Sequence, residues 1–350
     1  MIRDLRTMDT YHPRGDASTV RLCTRRCMIG LLGMVPALLS QRSLAQSTNV
    51  PQWMRTAWPR TDFSRMAVTA SEITSGGPPR DGIPAIDGPR FEPAASAGLA
   101  PAEPVIALEI GGDARAYPLR ILLWHEIVND VVGGVPIVVT YCPLCNSSLV
   151  FDRRTERGIL DFGVSGLLRH SDMIMYDRQT ESWWQQFAGE AIAGELTGLK
   201  LRALPVRVES RARFVARFPL GRILLEDPAS GKPYGRNPYA GYDTEHWPFL
   251  FTGDYDGPVP ALARLVSVGG DAWPLELLRN KGRIEYEELV LTWGAGQNSP
   301  LDTSETAKGR DIGNVVVQRR EAGGLVDVVH DLSFAFAFKA LRPEGRIHSE

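Results

Sequence analysis

Cysteine is scarce in this chain. Of four in 350 residues, Cys23 and Cys27 lie in a leader marked for removal. Thiol chemistry in the mature protein is therefore confined to one segment, Cys142-Pro143-Leu144-Cys145. Long apolar runs are also missing, and none reaches the roughly 18 residues that a membrane-spanning helix requires. Heptad repeats and low-complexity tracts are absent. What remains is ordinary globular composition, 43% hydrophobic and 23% charged, enough for one large domain or two small ones.

The first 45 residues read as a secretory signal. Arg25-Arg26 precede an apolar stretch that ends near Leu39, and Ser43-Leu44-Ala45 places small residues where a signal peptidase cuts. The arginine pair resembles the twin-arginine export address, which a receptor reads and which anchors nothing. Cleavage near Ala45 places the mature chain in the periplasm or outside the cell. It also removes seven Arg and three Asp, leaving 32 basic against 38 acidic side chains and a net charge near −6. With no basic run on such a surface, nucleic acid and anionic membrane are poor partners. A small molecule or a metal ion is expected instead.

Residues 46–104 form an N-terminal extension. Seven prolines between 75 and 104 keep its second half extended, because proline forbids helix interiors and biases its predecessor away from helix. Residues 105–110 read as a strand that stops at the Gly111-Gly112-Asp113 turn. Residues 119–132 read as a helix, with Leu122, Ile127 and Val128 near one face. The β-branched run 136–141 reads as a buried strand. Residues 148–153 and 159–164, flanking Thr155-Glu156-Arg157-Gly158, read as a hairpin.

The second half of the text echoes the first. Gly111-Gly112-Asp113-Ala114 and Tyr117-Pro118-Leu119 return as Gly269-Gly270-Asp271-Ala272 and Trp273-Pro274-Leu275. Val138-Val139-Thr140-Tyr141 returns as Val290-Leu291-Thr292-Trp293, and residues 148–154 align without gaps on 314–320. The expected fold is therefore α+β and predominantly β, two fused and diverged copies of one β-rich unit packed as a single globular domain. Residues 105–262 are the first copy, with a long insertion. Residues 263–342 are a degenerate second copy, and 343–350 a tail. Copy two has Gly294-Ala295-Gly296-Gln297 where copy one has its cysteines, which tilts Cys142 and Cys145 toward function.

A Cys-Pro-x-Cys loop leaving a strand can direct both sulfurs at one ion, provided the next residue tolerates left-handed backbone; Asn146 does. Zinc takes four ligands, so His125 and then His170 are the first candidates to join the sulfurs, while Cu(I) is satisfied by two thiolates and one more donor. Two alternatives stand beside a Zn or Cu(I) centre. One is thiol–disulfide exchange, though Asn146-Ser147-Ser148-Leu149 reads as turn then strand where a redox motif wants a helix. The other is a ligand-binding module with a structural disulfide, a weak staple across so short a loop. Candidate ligand-binding residues are Tyr141, Asp172, Asp177, Arg178, Trp184, Gln185 and Tyr239; Asp177 before Arg178-Gln179-Thr180 also fits a turn. The three tyrosines of residues 234–242 can present rings to a ligand or cover a sheet edge.

The runs Trp124-His125-Glu126-Ile127-Val128-Asn129-Asp130, Tyr141-Cys142-Pro143-Leu144-Cys145, Phe162-Gly163-Val164-Ser165-Gly166, Tyr176-Asp177-Arg178-Gln179-Thr180 and Tyr234-Gly235-Arg236-Asn237-Pro238-Tyr239-Ala240-Gly241-Tyr242 resemble a bacterial family known as domain of unknown function 3179. The resemblance spans roughly residues 75–342 and implies no activity. It departs at His170, where Asn is common in the family.

Overall fold

The computed structural model describes residues 50–350. The signal expected in residues 1–45 lies outside them. The described chain is predominantly β, and five sheets of four or five strands are arranged as the blades of a propeller. Among the described residues no helix is long and apolar enough to cross a membrane.

The first blade is built on Pro104–Ile110 and Asp113–Pro118, paired across the expected Gly111-Gly112 turn. The second is built on Ile127–Val132, Val135–Cys142 and Ser147–Asp152, and the third on Phe162–Arg169, Asp172–Asp177, Trp183–Gln185 and Glu190–Ala193. The chain then returns. Arg202–Ala203 adds an outer strand to the second blade, and Arg207–Ser210 pairs with the first. The fourth blade opens with Arg264–Val268 and Asp271–Pro274. The fifth, Arg283–Tyr286 to Gly324–Asp327, is completed before Asp331–Phe334 returns to the fourth. Neighbouring blades are thus nested in the chain, and strands about a hundred residues apart pair directly, as Val105 does with Glu209.

The proline-rich segment is extended as expected, but it is strapped to the blades. Ile86–Asp87 runs parallel to Ile127–Val132, and Phe91–Pro93 closes the edge of the first blade. Ile73–Ser75 does the same for the third.

Two local expectations are corrected. The helix expected over 119–132 ends at His125, and Ile127–Val132 is a strand. Glu126 turns the chain with φ 58°, and the β-branched Ile-Val-Asn-Asp-Val-Val that follows favours the pleated sheet over a helix. The hairpin expected from 148–153 and 159–164 is split between two blades. Ser147–Asp152 is buried at every position and lies between Val135–Cys142 and Arg202–Ala203, while Phe162–Arg169 pairs with Asp172–Asp177. A strand wrapped on both faces needs two neighbours, which one hairpin does not supply. Only Arg154–Thr155 and Gly158–Ile159 form a small hairpin of their own.

Asp113 shows how the blades are fastened. Its carboxylate accepts from Arg115 Nη2 and Arg222 Nη2, each at 2.8 Å, and from the Gly133 N–H at 3.3 Å. Burial alone would raise its pKa, but these donors overcome it and lower the pKa to about 2. A carboxylate held below its unfolded value stabilises the fold above about pH 4–5, and that contribution is lost as the pH falls toward 2. Asp113→Asn should therefore lower the urea midpoint at pH 7, and its gap to wild type should close near pH 2. A gap of the same size at both pH values would show that the ion pairs are not its source.

Candidate metal centre

Two turns from different blades meet at the cysteines. In the second blade, Val135–Cys142 ends on the first cysteine, and Asn146, at φ 55°, reverses the chain into Ser147–Asp152. This is the left-handed residue that the Cys-Pro-Leu-Cys turn requires. In the third blade, Arg169 pairs with Asp172 across a two-residue turn in which His170 and Ser171 both have positive φ, 53° and 61°. Such turns match the twist of an antiparallel pair. They place Asp172, the first residue of its strand, beside the cysteines.

Cys142 Sγ, Cys145 Sγ and a carboxylate oxygen of Asp172 lie within 4.8 Å of one another, and all three residues are buried. Cys145 Sγ donates to Asp172 Oδ1 at 2.9 Å and lies 3.1 Å from Ser147 Oγ. Both cysteines are free thiols. Burial, followed by the neighbouring Cys142 and Asp172, pushes the Cys145 thiol well up. Burial also raises Asp172, to about 6, although bonds from Cys145, Gln185 and the Phe187 N–H pull the other way.

Asp172 is held by a chain of polar groups that reaches the surface. Gln185 Nε2 donates to its Oδ2 at 2.5 Å and the Phe187 N–H at 3.1 Å. Arg169 Nη1 donates to Gln185 Oε1 at 3.3 Å and its Nη2 to Glu72 at 2.6 Å. With its oxygen taken by Arg169, the Gln185 amide can only present its NH2 to Asp172, which fixes the carboxylate. Ser147 is fixed likewise: it donates to Gln186 Oε1 at 2.5 Å, and Gln186 Nε2 donates to Thr140 Oγ1 at 2.8 Å.

The tyrosine loop covers the cluster. Tyr242 donates to Leu144 O at 2.8 Å, and Ser171 Oγ holds Phe249 O at 2.6 Å. Tyr141 is fully buried and donates to Asn146 Oδ1 at 3.3 Å. Burial pushes the Tyr239 phenol up, with further contributions from Glu126 and Cys142.

Neither expected histidine ligand joins the cluster among the described residues. His125 Nδ1 lies 2.7 Å from Pro84 O and Nε2 lies 2.6 Å from the Tyr234 hydroxyl. A carbonyl only accepts, so Nδ1 carries the proton and Nε2 takes the tyrosine's, leaving no lone pair for an ion. Burial lowers the His125 pKa, which favours this neutral ring. His170 serves the turn, with Nε2 3.5 Å from Glu72.

Three further ligand-binding candidates make their contacts within the fold. Asp177 caps its turn, accepting from the Thr180 N–H at 2.7 Å, and takes the Trp184 indole N–H at 3.0 Å. Trp184 is fully buried core. Arg178 pairs with Asp87 at 2.6 Å and lines a different cleft, of about 430 Å3, together with Asn129, Asp130, Arg153 and Asp161. Tyr141, Asp172 and Gln185 do gather around the cysteines.

Glu126, whose backbone lies beside the strand that ends on Cys142, was not singled out in the sequence. Glu126 is 8% exposed, and its carbonyl accepts from the Tyr141 N–H at 2.8 Å, next to Cys142. No hydrogen bond to its carboxyl group is present among the described residues. Burial and then the charge of Asp172 raise its pKa to about 8. The available signal was an acid at the head of an apolar, β-branched run, where a buried carboxyl needs a partner.

No curated protein and no solved structure matches this chain. The model of the family described as protein of unknown function (DUF3179) matches residues 80–345, from the proline-rich strap through the fourth blade's last helix, and the chain belongs to that family.

Proposed function

We propose that this is an exported metal-binding protein whose ion sits between Cys142, Cys145 and Asp172. The observation that carries the reading is the cluster itself: two thiols and a carboxyl group within 4.8 Å, buried, on two turns held by separate blades. Burying three acids together is costly unless they stay protonated or share a cation. A metal ion neutralises all three at once, and the Gln185 and Phe187 donors are the outer contacts a ligating carboxylate needs. Thiol–disulfide exchange is less well supported. Cys145 leads into a turn and a strand, so no helix N-terminus stabilises a thiolate, and its surroundings disfavour one. The test is the metal content of protein purified from its export compartment, with X-ray absorption showing sulfur ligands at about 2.3 Å if the ion is zinc.

We read residues 1–45 as a twin-arginine signal, a route suited to a protein that folds before export. Replacing Arg25 and Arg26 together by Lys should leave precursor in the cytoplasm, detected by fractionation. Export at the normal rate would assign the chain to general secretion.

We also read the propeller as two diverged copies with the third blade inserted in the first. In support, the first and fourth blades share one strand order. In each, two antiparallel strands are flanked by a returning antiparallel strand and, after a seven-residue helix, by a parallel one. The echoed runs occupy like-placed strands of the second and fifth blades, but the ladders are offset: Tyr141 faces Ser148, and Trp293 faces Val315. Gly324–Asp327 completes the fifth blade, whereas Arg202–Ala203 takes that place in the second.

A further inference from the structure

The cysteines occupy one end of the strands of the second and third blades, and a separate cleft opens at the other. Asp172 begins the strand that Asp177 ends, so Arg178 lies about 20 Å along the strand from Asp172. The cleft, of about 430 Å3, falls in the size range of small-ligand sites. Its walls are paired charges. Arg178 Nη1 donates to Asp87 Oδ2 at 2.6 Å and Arg153 Nη1 to Asp161, while Arg115 Nη1, which does not border the cleft, donates to Asp130 Oδ2 at 2.7 Å. Neutral side chains hold these carboxylates in place: Asn129 Nδ2 donates to Asp87 Oδ1 at 2.8 Å, and Gln179 Nε2 to Asp161 Oδ2 at 3.0 Å. Bonding capacity remains on both sides of the pairs. Each oxygen of Asp87 and Asp161 accepts a single bond, and the two side chains are 50% and 48% exposed. Arg178 Nε and Nη2 donate to nothing among the described residues. Arg153 borders the cleft at 6% exposure, and its Nε has no partner among the described residues, so the buried guanidinium at the wall keeps an unspent donor. Beside these groups Val131, 48% exposed, and Pro89 form an apolar ledge.

We infer that this cleft binds a neutral polyhydroxyl compound, a mono- or disaccharide. The charge balance selects the class. Each of the three carboxylates has its own guanidinium, so a charged ligand would have to break an existing pair to be held by one of its members. Hydroxyl groups need break none, because each both donates and accepts. Adjacent hydroxyls of a sugar can donate to the free lone pairs of Asp87 and Asp161 and accept from Arg178, whose planar fork suits two neighbouring oxygens. The C–H face of the ring then lies on the Val131 and Pro89 ledge. An extended peptide fits less well, although Ile86–Asp87 covers only Val128 and Asn129 of the neighbouring strand. Beyond them the Val131 N–H is already taken by Asp130 Oδ1 at 2.7 Å, so it is not free to join the ladder that an added strand would need.

The experiment uses the full mature protein and a panel of neutral hexoses and their disaccharides at millimolar concentration, with gluconate and glycine as charged comparisons. Saturation-transfer NMR detects binding, and titration gives the affinity. At least one neutral saccharide should receive saturation from the protein, and neither charged compound should receive more. Arg178→Ala should weaken binding of that saccharide by about tenfold or more, because hydrogen bonds to a charged group are lost. Val131→Lys, at an exposed position, should weaken it as well by removing the ledge. This second variant stays informative if loss of the Arg178–Asp87 pair loosens the strap, and urea midpoints check that both variants are folded. Gluconate or glycine bound in preference to every sugar would overturn the neutral class. Affinity unchanged in both variants would place the sugar elsewhere, and no transfer to any saccharide of the panel would overturn the site itself. Each of these results leaves the metal reading untouched, since the cluster lies at the other end of the strands.

Discussion

Cys145→Ser purified from the export compartment should contain background metal, against close to one equivalent in wild type, and Asp172→Asn should retain a fraction. The ordering follows from the geometry. Cys145 is fully buried, sits between Asp172 at 2.9 Å and Ser147 at 3.1 Å, and is the sulfur in contact with every other part of the cluster. A hydroxyl in its place is a poor ligand for zinc or copper, because its pKa is far above that of a thiol and the bound form must be the anion. Asp172→Asn keeps the shape and the Gln185 and Phe187 contacts but removes one negative charge, so affinity falls without vanishing. Stability is the necessary control. A thiol-to-hydroxyl change in a buried site costs about 1–3 kcal/mol where the new group lacks a partner, yet Ser147 and Asp172 offer partners here. Both variants should therefore keep the cooperative unfolding of wild type. Metal retained by Cys145→Ser at the wild-type level would place the ion elsewhere.

Sequence and structure agree most closely where the chemistry is local. The Cys-Pro-Leu-Cys turn, its need for a left-handed residue and the presence of Asn146 all fall within five residues. The strands over 105–110 and 136–141 were legible because their β-branched, apolar text says "buried sheet" without naming a partner. Partners are what the text does not show. The propeller arises from returns such as Arg207–Ser210 onto Pro104–Ile110, and no short-range pattern encodes a pairing across a hundred residues. The same limit governs the site. Asp172 could be named as a candidate, but its position beside Cys145 depends on a turn in one blade meeting a turn in another. His125 drew attention because imidazole is a common ligand, yet its nitrogens are spent on Pro84 and Tyr234, two segments that only the folded ring brings near.

A buried acid ties the roof over this centre to the fourth blade, and removing it should give the largest loss of stability of any change discussed here. Asp243 lies in the short Tyr242–Thr244 turn, directly after Tyr242, whose hydroxyl reaches Leu144 O in the cysteine loop. Its side chain is fully buried. Oδ2 accepts from Arg264 Nη2 at 2.7 Å and Ser299 Oγ at 2.5 Å, and Oδ1 accepts from Arg310 Nη1 at 2.9 Å. Asp243 thus ties the tyrosine loop to Arg264 in the fourth blade and to the 299–310 segment. Burial would raise its pKa, but the charge of Arg264, with the hydrogen bonds from Ser299, Arg264 and Arg310, more than offsets that and lowers it. Its contribution is therefore present above the unfolded carboxylate value of about 3.9 and lost as the pH falls below it. Asp243→Ala leaves the Arg264 guanidinium, 9% exposed, without its carboxylate. Breaking a buried pair in this way costs about 3–5 kcal/mol. Urea unfolding at pH 7 should show a midpoint lowered accordingly with an unchanged slope, and Asp243→Asn should recover part of the loss by keeping the Ser299 contact. Because the loop also carries Tyr239 and Tyr242, Asp243→Asn should release bound metal to a chelator faster than wild type, even under conditions where both are fully folded. A loss below about 1 kcal/mol in the alanine variant would mean that Arg264 finds another partner and that the loop is fastened by its remaining contacts.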